Sequence, residues 1–229
     1  MKNVIITGAS GNLGKVVCRA FLEQQYHVIA IVGMSNKSVS EIEHDNLEIH
    51  KVDLGSEVEV NQLCEEICAM YPSIEVAVFL AGGFSMGDFK TTGKAELDAM
   101  FKLNFETAYY FSKQVFLKME NQGGGRLFFM GARPAVESAA GVNMVSYALS
   151  KSLIIKLSEI YNKAGKKNGV VSTVLVPSTI DTPDNRKSDP NADFSKWVSP
   201  EKIAQTILFV SSDEGSELRE GVLKVYGNS

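Results

Sequence analysis

Two short stretches carry residue types that can handle protons and phosphates. In Tyr147-Ala148-Leu149-Ser150-Lys151 a phenol and an ammonium stand four residues apart, which on a helix places both on one face. A free phenol titrates at about pH 10, and a neighbouring ammonium favours the phenolate. The spacing therefore predicts a tyrosine whose pKa is drawn down toward a range useful for acid–base work. The second stretch is Thr7-Gly8-Ala9-Ser10-Gly11-Asn12-Leu13-Gly14, between an apolar run and the first helical spacing. The backbone N–H groups of such a turn and the positive end of the helix it opens suit a pyrophosphate. Glycines also serve a plain turn that needs positive φ, so both readings stand on spacing alone.

The elements that must position these groups follow from hydrophobic periodicity. Apolar runs predict strands at 4–7, 27–32, 47–52, 76–80, 126–130, 170–176 and 222–226. Helical spacing predicts helices from Leu13 onward and over 58–70, 94–119, 146–164 and 200–211. Such alternation predicts an α/β chain, one doubly wound domain over 1–229 with about seven parallel strands and helices on both faces. Ligands are then expected outside the carboxyl ends of the strands. The long polar connection 181–198 is expected to be functional or disordered.

Composition narrows the function classes. With 45% hydrophobic and 22% charged residues the 229-residue chain is ordinary for a globular protein, which argues against disorder. A net charge of −4 gives no footprint for nucleic acid. Cys18, Cys64 and Cys68 read as buried or half-buried thiols. Cys64 and Cys68 have a helical metal-pair spacing but no further ligand nearby, so no metal is expected. The start of the chain lacks a signal-peptide pattern and no apolar run reaches the ~18 residues of a membrane span, which predicts a cytoplasmic protein.

The glycine turn and the tyrosine–lysine pair, at these places in an alternating chain, resemble the short-chain dehydrogenase/reductase family, whose first turn reads Thr-Gly-x-x-x-Gly-x-Gly. Gly8 and Gly14 match, and Asn12 stands at the middle glycine. Asn is among the few residues that visit the left-handed region, and Gly11 beside it restores freedom, so an intact turn is expected. The resemblance implies a Rossmann fold that binds NADPH or NADH. It implies that Gly8, Ser10, Gly11, Asn12, Leu13 and Gly14 hold the pyrophosphate. Ala81-Gly82-Gly83 would lie against the ribose, with Leu80 in place of the family's Asn. Pro177, Ser178, Ile180 and Thr182 would line the nicotinamide and pyrophosphate. Asp53, with Leu54, is either the family's adenine contact or an N-cap for the next helix. Tyr147 and Lys151 would be catalytic, Lys151 also holding the nicotinamide ribose. Asn104 would support a water relay to the lysine, or merely bend its helix. The second strand ends Ile31-Val32-Gly33-Met34 without the acid that bonds a ribose 2′-hydroxyl, and Lys37 follows. That absence leans the site toward NADPH, although Lys37 also reads as a solvated loop charge.

One departure is chemical. The family's catalytic serine should follow the fifth strand, where Gly131 and Ala132 stand, and Ser138 and Ser146 lack the right spacing. Losing such a donor costs roughly 10²-fold in rate where a carbonyl must be polarised. Within the family, Ala81-Gly82-Gly83-Phe84, Met130-Gly131-Ala132-Arg133 and the loop 180–197 look like the dihydropteridine reductases, which also lack the serine. The animal-type enzymes carry an acid at the end of the second strand and prefer NADH, whereas Val32 stands there in this chain, so the cofactor choice does not carry across, and the 132–147 connection looks about two residues longer. This resemblance implies hydride transfer to a quinonoid dihydropteridine, giving tetrahydropteridine. Phe84 and Trp197 would wall a pterin pocket, or be plain core. Two other readings stand beside it: a reductase of another activated carbonyl, quinone or imine, and a non-catalytic NADP(H)-binding sensor. The stripe Leu149, Leu153, Leu157, Ile160 and Tyr161 is either the inward face of its helix or, as the resemblance implies, a homodimer interface.

Overall fold

The structure, a computed structural model, describes residues 1–34 and 42–228. Seven strands form one sheet: β1 (Asn3–Thr7), β2 (His27–Val32), β3 (Leu47–Lys51), β4 (Val76–Phe79), β5 (Gly125–Met130), β6 (Val170–Pro177) and β7 (Val222–Val225). All neighbours are parallel, in the order β3-β2-β1-β4-β5-β6-β7. Parallel strands need crossovers, and helices supply them on both faces. α1 (Asn12–Glu23) and α8 (Pro200–Ser211) cover one face. α2 (Glu57–Met70), α4 (Thr107–Gln122) and α6 (Val145–Ala164) cover the other.

Strand alternation feeds two cores. Val28, Ala30 and Val32 of β2 point to the α1/α8 core, and Ile29 and Ile31 to the α2/α4/α6 core. The order reverses between β1 and β4, where Thr7 pairs with Phe79. A crevice opens at such a reversal because successive crossovers leave in opposite directions.

The structure corrects one expectation and refines two others. The helix expected over 94–119 is α3 (Lys94–Phe101), a π-helical turn at Lys102–Glu106, and α4, which runs on to Gln122. A π turn holds one extra residue, which apolar spacing does not register. The polar connection contains α7 (Pro183–Ser188) and a 3-10 turn at Phe194–Lys196, and α5 (Ser138–Gly141) lies in the connection before α6. These elements are short and, α5's Gly141 apart, bury no residue, so no periodic stripe marks them. The stripe on α6 divides: Leu157 and Tyr161 are buried, while Leu149, Leu153 and Ile160 are exposed.

α6 is held down by polar as well as apolar contacts. Asn162 Nδ2 donates to the Ser172 carbonyl at 2.8 Å and its Oδ1 accepts the Ser172 N–H at 2.7 Å. These paired bonds satisfy buried groups and fix α6 along β6. No helix among the described residues is long and apolar enough to cross a membrane.

Cys18 and Cys64 are buried and Cys68 is half-buried. Desolvation pushes the Cys18 thiol up to about 12. The unfolded chain releases this proton from about pH 9 while the folded chain keeps it, so the contribution is full below about pH 9 and is lost as pH climbs toward 12. By about pH 10.5 this one thiol should cost about 2 kcal/mol of stability. Urea unfolding from about pH 8.5 to 10.5 checks this: Cys18→Ala should lose stability less steeply than the wild type, and identical slopes would contradict the assignment.

Candidate active site

The glycine turn joins β1 to α1 at the sheet's reversal point. Gly8 has a φ of +67°, and a Cβ there would lie 2.7 Å from the Ala81 nitrogen. The turn therefore rests directly on the chain leaving β4. At Gly14 a Cβ would sit 2.2 Å from the Gly8 carbonyl oxygen, so only glycine lets α1 start this close to the turn. The first N–H groups of α1 receive no side-chain cap. The Ser10 hydroxyl beside them is buried without a hydrogen-bond partner. Uncapped helix-end donors next to an orphaned hydroxyl fit an anion such as a pyrophosphate.

The expected left-handed role of Asn12 is not found. Gly8 alone in this turn has positive φ; Gly11 is extended with a φ of −71° and Asn12 is the first residue of α1. The turn is completed one step earlier than the glycine spacing suggests, which frees the Asn12 side chain to donate to Asp184 Oδ2 at 2.7 Å.

The other candidate cofactor residues fall on the same edge of the sheet, at the strands' carboxyl ends. Thr7 Oγ1 meets the Ala81 N–H at 3.5 Å. Asp53 does not cap the next helix: its Oδ1 accepts the Gly55 N–H at 2.9 Å, and Ser56 caps α2. Asp53 is exposed and Leu54 buried. Pro177 ends β6, and Ser178 donates to the Tyr226 carbonyl at 2.8 Å. Ile180 bridges to Val198, and Thr182, buried, caps α7. Lys37 lies outside the described residues.

The proton-handling residues meet around Gly82. Lys151 is 6% exposed and its Nζ donates to the Met130 carbonyl at 3.0 Å. Asn104, at the centre of the π turn, is 1% exposed. Its Oδ1 accepts the Gly83 N–H at 2.9 Å and its Nδ2 donates to Ser150 Oγ at 3.0 Å. Ser150 Oγ in turn donates to the Tyr147 carbonyl at 2.8 Å. A Cβ at Gly82 would lie 2.5 Å from Asn104 Oδ1 and 3.4 Å from Lys151 Nζ, which places the Ala81-Gly82-Gly83 strip against both side chains.

Phe84 packs edge-on against Tyr147 with ring centroids 5.1 Å apart, while Trp197 packs on Phe194 at 4.8 Å within its own loop. Ala132 is buried at the end of β5, and the Ser146 hydroxyl is buried without a partner. Sequence reasoning missed Ser150; its one signal is a hydroxyl three residues after the tyrosine, where a helical Ser reaches back to a carbonyl.

Residues 2–193 match the family described as short chain dehydrogenase. The chain belongs to this family. Among its relatives, a dihydropteridine reductase of Dictyostelium discoideum is 28% identical, covering 97% of this chain and 93% of that protein. An uncharacterized oxidoreductase of Staphylococcus haemolyticus is 26% identical over 90% of this chain and 88% of its own length. A 3-oxoacyl-[acyl-carrier-protein] reductase of Thermotoga maritima is 22% identical over 99% and 96%. The crystal structure of a short-chain dehydrogenase/reductase from Burkholderia xenovorans superposes with a TM-score of 0.88 at 22% identity, covering 99% of this chain and 95% of that one. That likeness is one of fold.

In this short-chain dehydrogenase burial, not the lysine, governs the tyrosine. Desolvation pushes the Tyr147 phenol up to about 12 and the Lys151 ammonium down to about 8. The expected lowering of the phenol is therefore reversed. The ammonium is engaged by the Met130 carbonyl, and the phenol loses solvation. A phenol that keeps its proton through neutral pH can donate one but is a poor base.

The Gly82 contact generates a graded prediction. Gly82→Ala should push the Asn104 amide aside and lower turnover at least about tenfold, since small displacements of positioned groups are costly. Gly83→Ala meets the flexible end of Leu103, Cδ2 at 2.4 Å, and should lower turnover less. Steady-state kinetics of the two variants with one substrate decides this, and equal losses would contradict the wedge at Asn104.

Proposed function

We propose that this oxidoreductase is an NAD(P)H-dependent reductase of quinonoid dihydropteridine, yielding tetrahydropteridine. The observation that carries the reading is the combination at Tyr147: a phenol that stays protonated, an aromatic edge on it from Phe84, and buried Ala132 where a carbonyl-polarising hydroxyl would be needed. A conjugated imine accepts hydride without strong polarisation and requires a proton at nitrogen. The relative from Dictyostelium, a dihydropteridine reductase aligned along nearly the whole chain, supports the same choice.

The residues at the glycine turn fit a dinucleotide. The uncapped start of α1, the orphaned Ser10 hydroxyl and Leu13 would hold its pyrophosphate with Thr182, Asp53 and Leu54 its adenine, and Lys151 its nicotinamide ribose. Bound NAD(P)H supplies the hydride. Tyr147 donates the proton from its phenolic oxygen to the substrate nitrogen, so hydride plus proton balance the two-electron reduction. Lys151, charged below about pH 8, stabilises the phenolate left behind. Asn104 and Ser150 hold the Gly83 backbone and the Tyr147 carbonyl in place. Phe84, and on the loop side Trp197, offer flat apolar surface to a ring. Because β2 ends at Val32 and is followed by Gly33 and exposed Met34, with no carboxylate there, NADPH is the favoured cofactor, with NADH as the alternative. Leu149, Leu153 and Ile160 on α6, with Leu117 on α4, leave apolar side chains exposed on one side of the sheet, a face for a second copy of the chain.

Purified protein mixed with chemically generated quinonoid dihydropterin should oxidise NADPH faster than NADH, followed at about 340 nm. Tight nucleotide binding without turnover would move the reading to another activated quinone, imine or carbonyl, or to a sensor. NADH preferred would overturn the cofactor choice alone. Tyr147→Phe should lower turnover with cofactor affinity nearly unchanged, and Lys151→Ala should damage both; equal loss of binding contradicts the separate roles.

The pH profile adds an independent check. The Lys151 pKa is lowered, so its charge is present below about 8 and lost above it. The value of kcat/KM, which reports the free enzyme, should therefore fall as pH rises through about 8. A flat profile to about pH 10 would remove Lys151 from the chemistry.

A further inference from the structure

The segment between β6 and α8 carries a hydrogen bond that the proton-handling site does not use. Asn12 Nδ2, on the first residue of α1, donates to Asp184 Oδ2 of α7 at 2.7 Å, across 172 positions of sequence. α7 buries none of its residues. Among the described residues, its other hydrogen bonds stay within its own segment: Asn185 bonds to Thr182 and to the Ile180 carbonyl, and Arg186 forks onto Asp181. Arg186 also lies over the Phe194 ring of the same loop, at 4.7 Å.

Both ends of this loop are pinned together at its base. Asp181 N–H donates to the Val198 carbonyl at 2.8 Å, and Val198 N–H to the Thr179 carbonyl at 2.9 Å. Behind α7 a cavity of about 560 Å³ opens toward α1 and the start of α8, lined among others by Arg19, Pro183 and Pro200. The loop is thus a strap: pinned at the Ile180–Val198 bridge, with room behind it and no buried side chain on α7, and fastened to α1 through Asn12 at the first turn of α7, close to that base. The residue that fastens it occupies the place where the family's turn carries a glycine, which has no side chain to offer.

We propose that the Asn12–Asp184 hydrogen bond is a clasp that gates entry and exit of the dinucleotide at the glycine turn. The inference rests on the cofactor assignment above. A clasp closed in both free and bound protein sets the free energy of opening in both states, so loosening it speeds association and dissociation together and leaves the dissociation constant nearly unchanged. A carboxylate that merely repelled phosphate would instead alter affinity, and would do so only through Asp184.

The test uses the whole chain with Asn12→Ala, Asp184→Ala and the double variant, and NADPH as the probe, its binding and release followed by nicotinamide fluorescence in stopped flow. Each single variant should raise the dissociation rate constant by about fivefold, the scale of one charge-assisted bond at an exposed site; in Asp184→Ala, which leaves the glycine turn intact, the association rate constant should rise equally, with Kd within about twofold. The double variant should go no further, since both changes open one clasp. In the nucleotide-free protein, amide exchange of residues 184–188 should quicken in both single variants. Unchanged rates, unchanged exchange, or a tighter Kd in Asp184→Ala with Asn12→Ala silent would each overturn the gate. A wild-type chain that binds neither NADPH nor NADH would overturn the cofactor reading and the gate with it, whereas binding with unaltered rates overturns the gate alone.

Discussion

A buried amide must use its donors and acceptor or forfeit their solvation, at about 1–3 kcal/mol for each group left unpaired. Asn104 is such an amide, and its two ends tie three separate parts of the chain: the π turn it sits in, the Gly83 backbone beyond β4, and Ser150 on α6. That pairing sets the distance between the strip after β4 and the face of α6 that carries Tyr147 and Lys151. It also explains why residue 82 has no side chain, since a Cβ there would occupy the amide oxygen's space.

The sheet supplies the stage for this pairing. Because β1 and β4 are adjacent while their crossovers leave to opposite faces, the glycine turn and the Ala81-Gly82-Gly83 strip lie side by side. Gly8 in fact abuts Ala81. The crevice there therefore presents uncapped helix donors that suit an anion at one end and a half-buried phenol with a buried ammonium at the other. Burial has opposite effects on the latter two: it raises the phenol, which therefore keeps its proton through neutral pH, and lowers the ammonium, which keeps its charge only below about pH 8.

The ends of the crevice are built with different rigidity. α6 is fixed by its apolar inward face and by the reciprocal bonds of Asn162 with Ser172. α7 buries nothing and is tied to α1 by the Asn12–Asp184 hydrogen bond beside its hinge. A reaction centre needs fixed geometry, whereas a ligand that must enter and leave needs an element that opens at small cost.

Much of this was legible in the sequence, for a physical reason: elements that bury a face must repeat apolar residues at the period of their geometry. β2 and α8 fall where spacing puts them, and the other strands within a residue or two. The alternation with glycine turns at the strand ends was enough for the doubly wound sheet. Features without a buried face left no such trace. α7 and α5 are short and solvent-facing, and the π turn at Lys102–Glu106 adds a residue that a 3.6-residue period absorbs unnoticed. Contacts between distant parts of the chain were decided by the tertiary structure alone. Asn12 reaching Asp184, Ser56 and not Asp53 capping α2, Ser150 orienting Asn104, and desolvation, not the lysine, setting Tyr147 all depend on what surrounds a side chain. Sequence fixes which groups are present and their local spacing; packing fixes their neighbours and how much water they keep.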